Sequence, residues 1–236
     1  MSGFIGEFLG TALLIIMGDA VVANVLLQKT KGHNSGWIVI TAGWALAVFM
    51  GVFVSEKFGG SGHLNPAITL AMTLFKDFDF TQACWYFLAQ FSGAFTGAIV
   101  VWLAYKPHFD ATEDKDAKLA VFSTAPAIAK HGYNVLTEAI ATAVLTFTAL
   151  SFSPAAVELG TLDALPVALV IFAIGLSLGG PTGYAMNPAR DFAPRLAHFI
   201  LPIANKRNSD WGYSWVPVAG PVIGAIAAAW LYSLIG

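Results

Sequence analysis

Asn65-Pro66-Ala67 and Asn187-Pro188-Ala189 carry the residues whose type and spacing could do chemistry, and they occur twice. An Asn side chain holds one acceptor oxygen and two donor hydrogens. A following proline suits the first position of a helix, because its missing N–H would have had no partner there. Read singly, such a tripeptide is a capped helix start. Read as a pair, it sets two side-chain amides beside two positive helix ends. A water or hydroxyl oxygen passing between them could accept from both amides at once. That is the chemistry of recognition and passage, with no bond made or broken. Arg190 stands three residues after Asn187. An arginine at bilayer depth costs about 2.5–3.5 kcal/mol on insertion scales, so such a residue usually faces a cavity. The alternative is a pairing with Asp191 that merely holds a loop.

Other candidates are weaker. Asp19, in "MGDAVV", is an acid inside an apolar run; it reads either as a proton relay or as a packing residue. His33, His108, His131 and His198 are scattered without metal-ligand spacing, and His63 reads as a pore-lining or loop-holding residue. Cys84 stands alone, which leaves no intrachain disulfide and no metal cluster. There is no Gly-x-Ser-x-Gly elbow, Walker-type loop or His-Glu-x-x-His motif. Neither an enzyme nor a metal or other cofactor is expected. A net charge of -2 gives no reason to expect a nucleic-acid partner.

The elements that must position these residues are membrane spans. Of the 236 residues, 57% are hydrophobic and only 11% charged, with a mean hydropathy of +0.69. Soluble domains average about 25% charged residues. A span needs roughly 20 apolar residues, and six segments qualify: about 4–27, 36–56, 82–105, 133–152, 163–180 and 214–234. The first lacks a basic lead and a small-residue cleavage site, and reads as a retained span. Two more apolar stretches, about 65–75 and 188–200, are too short to cross, and each opens on an Asn-Pro-Ala. Residues 106–132, with six charged side chains between Asp110 and Lys118 alone, read as a water-facing connection. It divides the single channel domain, 1–236, into halves 1–105 and 133–236. Each half runs span, span, short helix, span. Each first span has an early acid, Glu7 or Glu138, and each last span a Gly-x-x-x-Gly, Gly93/Gly97 or Gly220/Gly224. Three crossings per half invert the second half relative to the first. Interrupted helices at matching places in an inverted repeat point to a pathway near the bilayer midplane. The expected fold is therefore all-α, with six transmembrane helices and two re-entrant half-helices.

The paired boxes, the six-plus-two layout and the half-to-half symmetry resemble the aquaporin superfamily, the major intrinsic proteins. The resemblance covers nearly the whole chain. It implies one pore per subunit and a homotetramer in the lipid bilayer. It assigns Arg190 to a selectivity filter with Trp44, Gly175 and Tyr184. It makes the carbonyls of Ser61, Gly62, His63, Gly183, Tyr184 and Ala185 a ladder of acceptors, and Glu7 and Glu138 the buried acids holding those loops. Water-selective members typically carry His at the position of Gly175. Gly175, Asp191 and Pro217 resemble the glycerol-conducting branch. Tyr184 departs from it, since Phe is usual there, and its hydroxyl could narrow the filter or add a donor.

Lys29, Lys31, Lys106, Lys115, Lys118, Lys130, Lys206 and Arg207 fall in loops after the first, third and fifth spans. The positive-inside rule would put those loops in the cytoplasm. The resemblance instead puts both termini there, in the cell membrane, and that orientation is the expectation kept. Three function classes follow: a passive pore for glycerol, water and other small neutral solutes; a proton-coupled transporter using Asp19 or Glu138; and a water-only channel.

Overall fold

The computed structural model describes residues 3–152 and 160–235. Among these, the regular elements are all helical. Helices α1 (Phe4–Leu26), α2 (Trp37–Lys57), α4 (Phe80–Ala111), α6 (His131–Leu150), α7 (Leu165–Ser177) and α9 (Val216–Ile235) are the long apolar ones. Six segments are long and apolar enough to cross a membrane, with α7 counted together with the 3-10 turn Gly160–Ala164 before it. Two short helices, α3 (Pro66–Phe75) and α8 (Pro188–Ile200), start at the two prolines. A short polar helix, α5 (Lys115–Ala120), lies in the connection between the halves. The six expected spans and two half-helices are all present within a few residues, with one exception. Helix α4 runs to Ala111, six residues past its expected end at 105.

The extended end is held against the end of α1: Phe109 is buried, and Gln28 N donates to Thr112 Oγ1 at 2.9 Å, while Lys106 and Asp110 add an exposed i,i+4 ion pair. Pro107 lies inside this helix. At 32 residues α4 is roughly 48 Å long, more than the hydrocarbon core requires.

Small residues bring the spans together. A methyl group at Gly97 would lie 2.7 Å from the Ala12 carbonyl oxygen on α1; one at Gly220 would lie 2.5 Å from Glu138 Cβ on α6. Each Gly-x-x-x-Gly therefore lets the last span of its half lie against the first. The half-helices then cross over: α3 packs chiefly on α9 and α8 on α4. Ala67 and Ala71 meet Ala225 and Ala229 at the first crossing; Phe91 and Phe192 meet edge to face at the second. Each half-helix thus packs chiefly on a span from the other end of the chain.

The connection after α4 is only partly water-facing. Glu113, Asp114 and Lys115 are exposed, but Lys118, Val121, Phe122 and Thr124 are buried. Lys118 Nζ donates to the Ala204 carbonyl at 2.6 Å. The segment turns back over the second half-helix, which the charge pattern alone did not suggest.

Candidate pore and selectivity site

Asn65 and Asn187 sit at the N-termini of α3 and α8 in extended backbone. Each uses its oxygen locally: Asn65 Oδ1 accepts from Ala67 N at 2.9 Å, and Asn187 Oδ1 from Ala189 N at 3.0 Å and Arg190 N at 3.2 Å. Each uses its amide across the repeat: Asn65 Nδ2 donates to the Met186 carbonyl and Asn187 Nδ2 to the Leu64 carbonyl, both at 2.7 Å. Each Asn therefore caps its own helix and also ties its loop to the other one. Each amide has a second hydrogen, and both residues line one cavity of about 320 Å³.

The approach loops are built alike. Glu7 is fully buried and accepts from His63 N at 2.9 Å, Leu64 N at 2.8 Å, Ser55 Oγ and Gln90 Nε2. Glu138 is fully buried and accepts from Ala185 N at 3.0 Å, Met186 N at 2.8 Å and Thr182 Oγ1. A buried carboxylate costs several kcal/mol unless its lone pairs are taken, and here donors surround both. Because the amides turn toward the acids, the carbonyls turn the other way. Among the described residues no protein donor reaches the carbonyls of Ser61, Gly62, His63, Gly183, Tyr184 or Ala185. The loop conformation is strained at matching places. Leu64 (φ 50°), Met186 (φ 49°) and Tyr184 (φ 38°) are left-handed, a region that such side chains rarely adopt.

Three of the four expected filter residues, Trp44, Tyr184 and Arg190, line the same cavity. The Arg190 guanidinium carbon lies 4.0 Å from the centre of the Trp44 ring. A methyl at Gly18 would collide with that ring, so α1 is shaped to receive it. Tyr184 forms another wall, edge to face with Trp37 at 5.8 Å. The fourth, Gly175, does not line it: a Cβ there would lie 2.9 Å from Thr41 Cγ2 and 3.0 Å from Tyr184 Cζ. The room left by its missing side chain is filled by the tyrosine ring. The Tyr184 hydroxyl is buried in that wall without a partner. Trp37 Nε1 donates to the Gly175 carbonyl at 2.9 Å, pinning α7 to α2 behind the ring.

Asp191 does not pair with Arg190. It pairs with Arg195 at 2.8–2.9 Å, both fully buried, and accepts from Thr124 N and Oγ1 at 2.7 Å. Arg195 also donates to the carbonyls of Thr124, Ser209 and Asp210. This network staples the central connection onto the first turns of α8.

With that geometry the comparisons can be read. The chain matches the family described as Major intrinsic protein over residues 1–232. It belongs to the major intrinsic protein family. Among relatives of this family it is 56% identical to a probable glycerol uptake facilitator protein of Thermotoga maritima, over 99% of each chain. It is 49% identical to a glycerol uptake facilitator protein of Streptococcus pneumoniae, again over 99% of each. The crystal structure of the aquaglyceroporin from Plasmodium falciparum superposes with a TM-score of 0.86 at 31% identity, covering 98% of this chain and 95% of that one. The chain is thus a membrane channel protein and not an enzyme.

Sequence reasoning missed several residues that build the site of this major intrinsic protein. Trp37 looked like one more apolar residue at a span's start. Gly18 and Gly179 were lost among many glycines, though a Cβ at Gly179 would lie 2.5 Å from Tyr184 Cδ1. Glu56 and Asp163 line the cavity together with Ser61 and Gly62; nothing in their spacing pairs them.

Proposed function

We propose that this chain is a passive pore for glycerol and similar small neutral solutes, with water alongside, and that it excludes ions and protons. The reading is carried by the pairing of an arginine with aromatic walls at the mouth of a carbonyl-lined cavity. A polyol has a carbon edge and a hydroxyl edge. Its carbon edge slides on Trp44 and Tyr184 while its hydroxyls meet Arg190 and the loop carbonyls. Those carbonyls replace the water that the solute leaves behind. At the centre the free amide hydrogens of Asn65 and Asn187 reach a passing oxygen. Two convergent helix N-termini plus Arg190 repel cations, and donors on both sides of one oxygen turn a water chain so that it cannot relay a proton. The names of the two bacterial relatives and of the malarial aquaglyceroporin support glycerol as the solute.

The pore works as a homotetramer in the cell membrane with both termini cytoplasmic, as the family resemblance implies. Glu138 is unsuited to carry protons, because both of its oxygens hold the second loop. Stopped-flow light scattering on proteoliposomes tests the function. Reswelling in glycerol and water without proton leak or current is the expected result. Uphill accumulation under a proton gradient would overturn it in favour of a transporter.

A further inference from the structure

The Tyr184 ring forms a wall of the cavity, yet among the described residues no hydrogen bond holds its buried hydroxyl. Packing therefore decides where the ring stands. Gly175 and Gly179 leave it a bed, and Trp37 closes one side of that bed. The Trp37 and Tyr184 rings meet edge to face at 5.8 Å. A Cβ at Gly179 would lie 2.5 Å from Tyr184 Cδ1 and 2.8 Å from Trp37 Cζ2, so both rings press on the same glycine. The indole is itself tied. Helix α7 ends at Ser177, and its C-cap bond runs from Leu178 N to the Ile174 carbonyl at 2.7 Å. The Gly175 carbonyl lies past that bond, among those that a helix end leaves without a backbone partner. The Trp37 indole N–H donates to it at 2.9 Å. Trp37, Thr41 and Trp44 stand at i, i+4 and i+7, on one face of α2. Thr41 meets α7 at Gly175, and Trp44 lies against Arg190. One stripe of α2 thus supplies one aromatic wall directly and backs the other.

We propose that Trp37 is a positioning residue that sets the size limit of the filter through Tyr184, as the buttress that fixes how far the ring stands into the lumen. The proposal rests on the filter reading of Tyr184 and deepens it. Trp37 touches the ring but does not line the cavity. The space opened by removing the indole therefore lies behind the ring and outside the lumen. Protein interiors are close-packed, and a side chain without a polar anchor relaxes into room left beside it. The tyrosine ring should then move back and the lumen widen at that wall. Selectivity among neutral solutes follows pore diameter, so wider polyols gain more than glycerol does.

Two measurements on one set of proteins test this, and the first needs no transport. The tyrosines are replaced by 3-fluorotyrosine, and the Tyr184 signals in the fluorine NMR spectrum are those lost in Tyr184→Phe. A held ring carries its fluorine on one of two inequivalent edges, so the parent should show two Tyr184 signals. Trp37→Ala should merge them, because the freed ring flips; Trp37→Val serves in its place if the alanine form inserts poorly. Trp37→Phe keeps an aromatic edge and should keep both signals. The second measurement is reswelling of proteoliposomes in glycerol and in the four-carbon polyol erythritol. The erythritol-to-glycerol ratio should rise about threefold in Trp37→Ala and return toward the parent value in Trp37→Phe. Added to Tyr184→Ala, Trp37→Ala should change the ratio no further, since the ring that it buttresses is gone. Signals that stay separate in Trp37→Ala would overturn the proposal. So would an unchanged ratio in a parent that conducts, or the same rise with and without the Tyr184 ring. Merged signals in a protein that passes no glycerol would keep the buttress and reject the pore.

Discussion

The two box loops share a frame and differ in everything added to it. In each, a buried glutamate on the first span of the half takes two consecutive backbone amides, a strained residue precedes the Asn, and the Asn amide crosses to the other loop. At equivalent places the first loop has Gly62, Ile68 and Thr69 where the second has Tyr184, Arg190 and Asp191. In the cavity lining the first loop contributes His63 with Glu56 beside it, and the second contributes Tyr184 and Arg190 with Trp44 against the arginine. The second is also stapled down through Asp191, Arg195 and Thr124. On the proposed reading, the duplicated part makes a hole and the unduplicated part makes it selective. The first loop is tied at the equivalent place by neutral groups, with Gln90 Nε2 donating to Thr69 Oγ1 at 2.9 Å, where the second uses an ion pair.

If the frame is symmetric, breaking it in either half should be equally severe. Glu7→Leu and Glu138→Leu each strand two backbone amides and at least one side-chain donor. An unpaired buried donor costs about 1–3 kcal/mol, so each variant should lose roughly 3 kcal/mol or more and give little folded protein. Membrane yield and thermal melting in detergent check this. If one half tolerates the change, the two cradles are not equivalent. The next effect should fall on the centre: Asn65→Leu and Asn187→Leu should each lower glycerol flux about tenfold or more while the protein still inserts. Unequal losses between the two would mean that one Asn serves only as a cap.

Making the second loop more like the first should remove selectivity and keep the hole. Arg190→Ile copies the residue of the first loop. It should retain solute flux and raise cation leak by about tenfold, equivalent to ~1.4 kcal/mol of lost barrier. Planar-bilayer current measures it, and unchanged tightness to cations would place the barrier at the helix ends alone. Gly175→His should act through the tyrosine. An imidazole cannot share the space that the Tyr184 ring fills, so the ring is pushed toward the lumen. Glycerol permeability should fall severalfold with water less affected. Equal losses of both would make Gly175 a helix-packing position only.

Much of this arrangement was legible in the sequence because the membrane simplifies it. Six apolar runs can only be spans, and two prolines after two asparagines can only start helices at the same depth. Repetition then pointed to the centre, and the family resemblance to Glu7, Glu138 and Arg190. What escaped depends on partners distant in the chain. Thr124 meets Asp191 from 67 residues away, and Trp37 meets Gly175 from 138 residues away. No local pattern carries such pairings. The polar run after residue 105 misled for a different reason. Charged residues read as the end of a helix, whereas Lys106 and Asp110 pair along it and its last turns dock on Gln28 through Thr112. Gly175 was legible as a space, but what filled it was not.

The smallest expected effect separates the ring of Tyr184 from its hydroxyl, and with it the two ways the second loop could exceed the first. The ring is a wall of the cavity, seated on Gly175 and Gly179. The hydroxyl is buried beside Gly175, 3.1 Å from where a Cβ would stand, and has no partner. An unsatisfied buried hydroxyl is unfavourable by about 1–3 kcal/mol relative to a paired one. Tyr184→Phe removes it and keeps the ring, the edge contact with Trp37 and the left-handed backbone. The variant should therefore be as stable as the parent or more so, by up to about 1 kcal/mol. Its glycerol and water permeabilities should both stay within about twofold, since the wall has not moved. Thermal melting and paired stopped-flow measurements read both quantities on one preparation. A selective loss of glycerol flux would show that the hydroxyl turns inward to meet the solute as it passes. A selective gain would show that it narrows the lumen. Either outcome would move part of the second loop's selectivity from the ring to a single oxygen atom, which Gly62 in the first loop lacks altogether.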